Sequence, residues 1–569
     1  MVAVTGTQSS KRAAATGRAA GLGRPLALAL VCTSVVGLPV LSIFGSFIGA
    51  TDSAGTLRHL ASTVIPAALT ETILLGGGVV VGVVIVGAVT GWLAATCEFP
   101  GRRLFEWALL LPLAMPAYIV AYAYTDALQF AGPLQSALRE SFGWKRGDYW
   151  FPEIRSVAGG VFVFTVVLYP YVYLLARTAF LARTAAMIDA ARSLGLTAWQ
   201  TWWRVNIPLA RPAIAAGALL ALMETLADYG ASVYFGLQTF TTAIYRAWFS
   251  MGDRLAASQL AGVLMLLVLG ILALERRARG RARFFTPTAS QRPAPRSVLK
   301  GGRAWAAAAT CAAPVVIGFA VPVVLLLRLL IPSWAQADAS RYLHWLANTL
   351  GVALGGAAVV LAAVLALAYA ARAAGRGMPT TLVNLAVRLM SLGYALPGAV
   401  IAVGILVPLA AFDNALDGFL KALAGVGTGL LLTGSVFALL YGYLVRYFAV
   451  AYQSIEAGLA RITPAMDASA RSLGSSTADT FLRVHLPILS PSVLAAVLLV
   501  FVDVMKELPA TLVLRPFNFD TLAVVAYQLA SDERLGEAAL PALTIVVAGV
   551  VPVALLSRAI ARAAGPGHA

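Results

Sequence analysis

Four carboxylates lie in or at the ends of strongly apolar stretches of the chain. They form two pairs, Glu224 with Asp228 and Asp503 with Glu507, and the members of each pair are four residues apart. On a helix this spacing places both carboxylates on one face. An ionisable group is costly in hydrocarbon and tends to face a pathway or a polar partner. Because carboxylate oxygens are hard ligands, these acids could receive a hard cation.

Three roles for these acids remain open. They line a pathway, they pair structurally with Lys506 and Arg246, or they ligate a metal directly. Transient passage needs weak contacts, so a tight metal site here would slow movement along a pathway. The three cysteines and four histidines are scattered without the spacing of metal ligands. We therefore expect no metal site built from His or Cys, and no catalytic group.

A second pattern occurs twice, in two polar stretches that interrupt the apolar sequence. We call residues 184–211 the first insert and residues 451–490 the second insert. The first insert reads Asp189-Ala190-Ala191-Arg192-Ser193-Leu194-Gly195 and reaches Pro208 after 13 residues. The second reads Ala468-Ser469-Ala470-Arg471-Ser472-Leu473-Gly474 and reaches Pro487 after the same 13 residues, with its acid displaced to Asp467. Small residues let a partner approach closely, and glycine permits a turn that a Cβ would hinder. The prolines mark the return to apolar sequence.

The composition is that of a membrane protein. The 569 residues are 60% hydrophobic and 12% charged, and runs of about 20 apolar residues span a bilayer. We predict an all-α polytopic membrane protein with about 12 transmembrane helices in two homologous six-helix halves. The predicted spans are 25–50, 68–97, 104–131, 157–183, 212–233, 259–275, 304–331, 346–371, 381–411, 426–450, 491–512 and 538–558.

The basic residues predict the orientation of these helices. The stretch 276–303 has nine basic residues and no acidic one, which favours the cytoplasmic side. Both termini and both inserts then lie in the cytoplasm, and the stretch 133–153 lies outside. The net charge of +17 is therefore a topology signal, and we expect no nucleic-acid partner. The predicted domains are a cytoplasmic tail 1–24, a first six-helix domain 25–275, a basic cytoplasmic linker 276–303, a second six-helix domain 304–560 and a tail 561–569.

The two halves align beyond the inserts. Glu224 and Asp503 are equivalent at an offset of 279, and Pro116 and Pro397 occupy the third predicted helix of each half. Halves of the same topology form a parallel repeat, and a substrate passes at the interface between such repeats. Proline frees backbone groups and can kink a membrane helix, so both prolines are candidates for a moving gate.

The inserts resemble the cytoplasmic signature of permease subunits of binding-protein-dependent ABC importers, written as Glu-Ala-Ala, then Gly, then a hydrophobic residue and Pro. In that family the segment forms a coupling helix that docks on an ATPase. The resemblance assigns docking to Asp189, Ala190, Ala191, Gly195, Pro208, Asp467, Ser469, Ala470, Gly474 and Pro487. The stretches Met223–Arg246 and Lys506–Leu522 resemble fused two-domain ferric-iron permeases, although thiamine and phosphonate permeases share parts of the second stretch.

This resemblance implies the type I importer fold in a bacterial inner membrane, with an ATPase dimer below and an extracytoplasmic binding protein above. The partner ATPase would use ATP and Mg, because no Lys of this chain follows a Gly and no phosphate-cradling loop can form. The chain itself is then a transport subunit without a bound cofactor, in contact with the lipid bilayer. The alternatives are an importer of thiamine, phosphonate or another small solute, and an ion-coupled secondary transporter that uses Glu224, Asp228, Asp503 and Glu507 as a relay. A structural or receptor protein fits the internal repeat poorly.

Overall fold

The computed structural model describes residues 31–48, 53–145, 147–182, 185–279, 296–336, 338–373 and 378–563. These residues fold almost entirely into α-helices, as the hydropathy predicts, because a chain in hydrocarbon must satisfy its backbone hydrogen bonds within each segment. Nine of the described helices are long and apolar enough to cross a membrane, and a bent pair raises this number to ten. Two further predicted spans correspond to Val31–Gly45, which is shorter, and to Val436–Leu459, which carries Arg446. The all-α polytopic fold is therefore confirmed.

The described residues divide into two compact units that do not coincide with the sequence halves. Unit 1 contains Met1–Ser53 and Ala347–Phe519, and unit 2 contains Ala54–Leu346 and Asp520–Ala569. The first described helix, Val31–Gly45, thus belongs with helices of the second half of the sequence. The first and last helices of the second half belong with the first half. The predicted domain boundaries, which rest on the sequence repeat, stay a prediction.

Unit 1 is built on the helices of the second half. Its helices are α1 (Val31–Gly45), most of α16 (Ala339–Ala373), α17 (Met378–Leu392), α18 (Gly398–Ala424), α19 (Val436–Leu459), α20 (Pro464–Ser472), α21 (Thr477–Thr480), α22 (Leu486–Met505) and α23 (Pro509–Leu514). A π-helical turn, Phe481–His485, leads into α22. Helix α1 is held on this unit by the Tyr441 hydroxyl, which donates to the Val35 carbonyl at 2.5 Å.

Unit 2 contains the remaining helices and the one described pair of strands. The elements are α2 (Ser53–Ser62), α3 (Val64–Thr96), β1 (Cys97–Glu98), α4 (Arg102–Ala108), α5 (Ala117–Leu128), α6 (Pro133–Phe142), α7 (Val157–Leu181), α8 (Ala185–Ser193), α9 (Ala198–Thr201), α10 (Ile207–Ala227), α11 (Gly230–Tyr234), α12 (Phe240–Tyr245), α13 (Arg254–Arg279), β2 (Ser297–Val298), α14 (Gly302–Val315), α15 (Val321–Ser333), α24 (Leu522–Ser531) and α25 (Leu535–Ala563). Strands β1 and β2 pair in parallel.

Glycines allow the central helices of unit 2 to pack closely. A Cβ on Gly87 of α3 would lie 2.6 Å from the Val172 Cβ and 2.8 Å from the Tyr169 carbonyl oxygen of α7. A Cβ on Gly217 of α10 would lie 2.6 Å from the Val172 Cα. Small residues at helix crossings are the usual means of association in a bilayer, where burial from water does not drive packing. These contacts make α3, α7 and α10 a rigid base for the segments that follow them.

The third predicted helix of each half is broken at its proline and not merely kinked. A 3-10 turn, Leu111–Ala114, ends at Met115, and α5 then begins after Pro116. The two arms of this pair, Arg102–Ala114 and Ala117–Phe142, are bent by 88°. In the second half the 3-10 turn Gly393–Ala395 precedes Pro397, after which α18 begins. Proline has no backbone N–H to donate, so it fits the first position of a new helix better than the interior of a continuous one.

The helix after each insert begins and ends earlier than predicted. The apolar helices are Trp202–Ala227 and Phe481–Met505, whereas the sequence predicted 212–233 and 491–512. Each ends where an acidic residue caps a following short helix. The assignment of Glu224 and Asp228 to one helical face, with Asp503 and Glu507 repeating it, is therefore wrong.

Candidate functional sites: the paired inserts and the acidic helix ends

The first insert is a short helix that closes on a glycine. Helix α8 ends at Ser193, and Gly195 follows with φ +74°. The Leu196 N–H donates to the Ala191 carbonyl at 3.1 Å. A left-handed glycine with this bond to the last turn is the Schellman ending, which satisfies carbonyls that the helix leaves free.

The second insert repeats this ending residue for residue. Helix α20 ends at Ser472, Gly474 has φ +82°, and the Ser475 N–H donates to the Ala470 carbonyl at 3.0 Å. A Cβ added to Gly195 or Gly474 would meet no atom within 4 Å. The glycines are therefore needed for their backbone conformation and not for space.

A capping pair starts the next helix in both inserts. In the first, the Gln200 N–H donates to the Thr197 Oγ1 at 3.2 Å, and the Thr197 N–H donates to the Gln200 Oε1 at 2.9 Å. In the second, the Asp479 N–H donates to the Ser476 Oγ at 3.1 Å, and that hydroxyl donates to the Asp479 carboxylate at 2.7 Å. Such reciprocal pairs fix the start of a helix.

The chain then passes through a π-helical turn into the apolar helix. The turn is Trp202–Asn206 in the first insert and Phe481–His485 in the second. Pro208 and Pro487 are the second residues of α10 and α22, directly after the wider π-helical turns, which accommodate the missing N–H within a continuous helix. The sequence spacing from glycine to proline thus corresponds to one continuous backbone path that is shared by both inserts.

Each insert exposes the same apolar side chains. Leu194 is 79% exposed and its equivalent Leu473 is 85% exposed, and Met187 and Met466 are each 39% exposed. Asp189, Ala190 and Ser469 are also exposed, whereas Ala191 and Ala470 are buried within the chain. Sequence reasoning missed the methionines and leucines, although apolar residues at equal positions of two polar segments were a visible signal. Matched, exposed leucines and methionines are typical of protein contacts.

The second insert is also attached to its unit by a hydrogen-bonded cluster around Asp467. The Arg372 guanidinium donates to Oδ2, at 3.1 Å from Nε, and His485 Nε2 lies 2.7 Å from Oδ1. The other ring nitrogen of His485 is 2.7 Å from the Tyr369 hydroxyl. Although partial burial acts in the opposite direction, the hydrogen bonds from Arg372 and His485 hold the pKa of Asp467 below its ordinary value. We call these four residues the anchor cluster.

The first insert has different residues at the positions of the anchor cluster. Ile188 stands in place of Asp467, and Asn206 stands in place of His485. The Asn206 side-chain oxygen is buried and has no hydrogen-bond partner among the described residues. Next to it, the rings of Trp92 and Trp202 meet edge to face, with their centroids 6.1 Å apart. Among the contacts of the described residues, the first insert is therefore attached by packed aromatic rings, and the second by charge and hydrogen bonds.

Two of the four predicted pathway acids cap short helices. Asp228 Oδ1 accepts from the Ala231 N–H at 2.8 Å and the Ser232 N–H at 3.2 Å, at the start of α11. Glu507 is buried and accepts from the Ala510 and Thr511 N–H groups, both at 2.8 Å, at the start of α23. A carboxylate at a helix N-terminus satisfies free donors and complements the helix dipole.

The other acids differ between the halves. Lys506 Nζ lies 2.9 Å from Asp503 Oδ1, so the structural pairing considered for Lys506 is present. Glu224 is half-buried in the last turn of α10. The part these residues and the prolines Pro116 and Pro397 play in a pathway or gate stays a prediction.

A family model matches most of the first half of the chain. Residues 87–274 match the family described as "Binding-protein-dependent transport system inner membrane component". This range contains the first insert, the broken third helix and α10, which are the features described above.

Individual relatives extend the similarity over both halves. The chain is 26% identical over 494 residues to the "Fe(3+)-transport system permease protein FbpB 2" of Haemophilus influenzae, which covers 86% of this chain and 89% of the relative. It is 24% identical over 517 residues to the "Probable ABC transporter permease protein y4fN" of Sinorhizobium fredii, covering 86% and 87%. The "Molybdenum transport system permease protein ModB" of Escherichia coli is 27% identical over 200 residues, which are 34% of this chain and 84% of the relative. This multi-pass membrane protein is therefore similar to binding-protein-dependent transport permeases over most of its length.

Proposed function

We propose that the chain is the transmembrane permease of an ATP-driven importer that carries ferric iron across the bacterial inner membrane. The two inserts lie in the cytoplasm and dock on a dimer of ATPase subunits, which hydrolyses ATP with Mg. An extracytoplasmic binding protein delivers the substrate to the opposite side. The chain breaks no covalent bond.

The observation that carries this proposal is the matched pair of inserts. They present the same exposed Leu and Met side chains on the same Schellman-ended helix. A dimeric partner offers two equal binding sites, so it requires two equal surfaces from a single chain. An ion-coupled secondary transporter has no such requirement.

The mechanism follows from these attachments. Closure of the ATPases around ATP draws the two inserts together. The helices that continue from them, α10 and α22, begin immediately after the inserts, and they transmit the movement to the helix ends that carry Glu224 and Asp503. The passage between the sequence halves then opens outward and accepts the ion.

Ferric iron is favoured as the substrate by the relative from Haemophilus influenzae, which matches both halves. Oxyanion import is the second candidate, because the molybdenum permease also matches part of the chain. The predicted place of Glu224 beside the passage also favours a cation, since a carboxylate there would repel an oxyanion.

Uptake of radiolabelled iron tests this function in cells that lack other iron importers and contain the complete transport system. We expect Fe(III) uptake that requires the ATPase and falls by about tenfold or more in Leu194→Asp and Leu473→Asp, which remove exposed interface anchors. Molybdate uptake without iron uptake would contradict the proposed substrate. Iron uptake that persists without any ATPase would contradict the importer itself.

Glu224→Gln tests the cation preference in the same assay. The change keeps the size of the side chain and removes its charge, so we expect reduced iron uptake with an unchanged amount of protein in the membrane.

Leu274→Asn is the control for the variants at Leu194 and Leu473. It changes an exposed leucine outside the inserts, because Leu274 is 65% exposed near the end of α13.

A further inference from the structure

Three tyrosines from both sequence halves meet in unit 2. The ring of Tyr229 stacks on Tyr245 with centroids 3.8 Å apart and planes 21° apart. On the other side, Tyr527 of α24 approaches the same ring, with centroids 5.6 Å apart and planes 51° apart. The Tyr527 hydroxyl donates to the Tyr229 hydroxyl at 3.3 Å. Tyr229 and Tyr245 belong to the first half of the sequence, and Tyr527 belongs to the second.

Tyr245 and Tyr527 are equivalent positions of the repeat. Thr239 caps α12 by accepting from the Thr242 N–H at 3.4 Å, and Thr521 caps α24 by accepting from the Val524 N–H at 3.5 Å. Tyr245 and Tyr527 each follow their capping threonine by 6 residues. The two tyrosines that flank Tyr229 therefore come from the same place in each repeat.

This equivalence locates the tyrosines relative to the repeat axis. When two equivalent residues touch one common side chain, both lie close to the axis that relates the repeats. In a parallel repeat this axis runs along the membrane normal, and substrate passes near it. Tyr229, Tyr245 and Tyr527 thus stand where a passage between the halves would run.

The two contacts of Tyr229 differ in strength. Tyr229 directly follows Asp228, which caps α11, and its ring is closely stacked on the buried Tyr245. The contact with Tyr527 consists of a tilted ring pair and one long hydrogen bond between neutral hydroxyls. Neutral hydrogen bonds and tilted ring contacts are individually weak. Separation would therefore occur between Tyr229 and Tyr527, with Tyr229 staying on Tyr245.

We propose that Tyr229 and Tyr527 form an aromatic plug that closes the passage between the sequence halves and separates in each transport cycle. This inference rests on the proposed function and adds the residues that close the path. A ring pair fits this role because it blocks an ion when closed, and its single weak hydrogen bond opens at small cost.

A reversible cross-link in place of the plug tests the proposal in the complete transporter. The double variant Tyr229→Cys/Tyr527→Cys is made with Cys32, Cys97 and Cys311 replaced by Ala. It is treated in membranes with a short bis-methanethiosulfonate reagent, because side chains that meet at their tips leave the two Cβ atoms too far apart for a direct disulfide. We expect substrate uptake to fall by about tenfold or more, because a covalent link prevents the opening step, and to return after reduction with dithiothreitol. Cross-linked protein that retains its uptake would overturn the plug.

The matched control joins two helices that should not separate. The Tyr342 hydroxyl and Thr544 Oγ1 are 2.7 Å apart between α16 and α25. Cross-linking of Tyr342→Cys/Thr544→Cys with the same reagent is expected to leave at least half of the uptake. Complete loss of uptake in both cross-linked variants would attribute the effect to the reagent in general and overturn the inference.

A second measurement does not depend on the substrate. The yield of the cross-link between Cys residues at positions 229 and 527 is compared in nucleotide-free complexes and in complexes trapped with ATP and vanadate. We expect the trapped state to give the lower yield, and equal yields would overturn the plug. A nucleotide-dependent yield in a complex that takes up no iron would leave the plug in place and reject ferric iron as the substrate.

The single variant Tyr527→Phe covers the case in which the cysteine pair does not insert. Loss of the hydroxyl contact favours the open state, so we expect higher ATP hydrolysis in the absence of binding protein. Tyr342→Phe is the control and should not change it. Equal hydrolysis by Tyr527→Phe and the unmodified complex would count against the plug.

Discussion

The two inserts share their surface and differ in their attachment. Both consist of a short helix, a left-handed glycine, a capping pair and a π-helical turn, and both expose a leucine and a methionine. Beneath this common surface, the second insert is held by the anchor cluster around Asp467. The first is held by the packing of Trp92 on Trp202.

On the proposed function, a dimeric ATPase contacts the exposed face of each insert, which accounts for the matched surfaces. The buried face meets only this chain, and any combination that holds the helix in place suffices. Apolar packing and a hydrogen-bonded ion pair are two such solutions.

Removal of the Asp467 charge should have the largest effect on this comparison. Asp467→Asn leaves Arg372 and His485 without their carboxylate, and hydrogen bonds to a charged group contribute about 1.5–3 kcal/mol. We expect a lower thermal denaturation temperature of the purified protein and reduced uptake. Asp189→Asn is the matched control for stability, because Asp189 is exposed on the first insert and its change should leave the denaturation temperature unaltered. Equal behaviour of the two variants would remove the proposed difference between the inserts.

The pH dependence of stability gives a related test. Because the pKa of Asp467 is lower in the folded protein than in the unfolded chain, its contribution is fully present above its unfolded value of about 3.9. That contribution is lost as the pH falls from this value through the lower folded pKa. We expect the intact protein to lose more stability than Asp467→Asn between about pH 5 and pH 3. Parallel pH profiles for the two proteins would contradict the role of the carboxylate.

Substitution of the insert glycines should have a smaller effect that is equal in both copies. At φ +74° and +82°, an alanine adopts a left-handed conformation that costs about 1–2 kcal/mol. Gly195→Ala and Gly474→Ala should therefore lower the denaturation temperature to a similar extent. Gly270→Ala is a useful control, because this helical glycine has no atom within 4 Å of an added Cβ. A large effect of one insert glycine and none of the other would break the shared part of the comparison.

Loss of the capping hydroxyls should have the smallest effect. Thr197→Ala and Ser476→Ala each remove the acceptor for one N–H group, and such changes cost about 1 kcal/mol or less in short exposed helices. Hydrogen exchange of α9 and α21 would detect this as faster local opening. Unchanged exchange in both helices would show that the π-helical turns, rather than the caps, hold these segments.

Several features of the fold could be predicted from the sequence alone. Long apolar runs identify membrane helices because hydrocarbon imposes both their length and their composition. The inserts were visible because a turn that requires glycine and a helix start that tolerates proline leave fixed residue types at fixed spacing.

The features that were predicted wrongly or not at all depend on tertiary contacts. Nothing in the spacing of Glu224 and Asp228 reveals that α10 ends at Ala227 and that Asp228 caps α11, since helix and cap place an acid in the same apolar context. The anchor cluster joins Arg372 to Asp467, which are 95 residues apart, so local patterns could not find it. The compact units combine helices from both halves of the sequence. This also results from tertiary packing, which hydropathy does not predict.

Co-purification of the ATPase with the permease tests most directly whether the paired inserts form the docking surface. Leu194→Asp, Leu473→Asp and the double variant would be compared with the unmodified chain, with Leu274→Asn as the control. We predict that each single variant retains less ATPase, that the double variant retains almost none, and that all variants stay folded in the membrane. Full retention of the ATPase by the double variant would contradict the account.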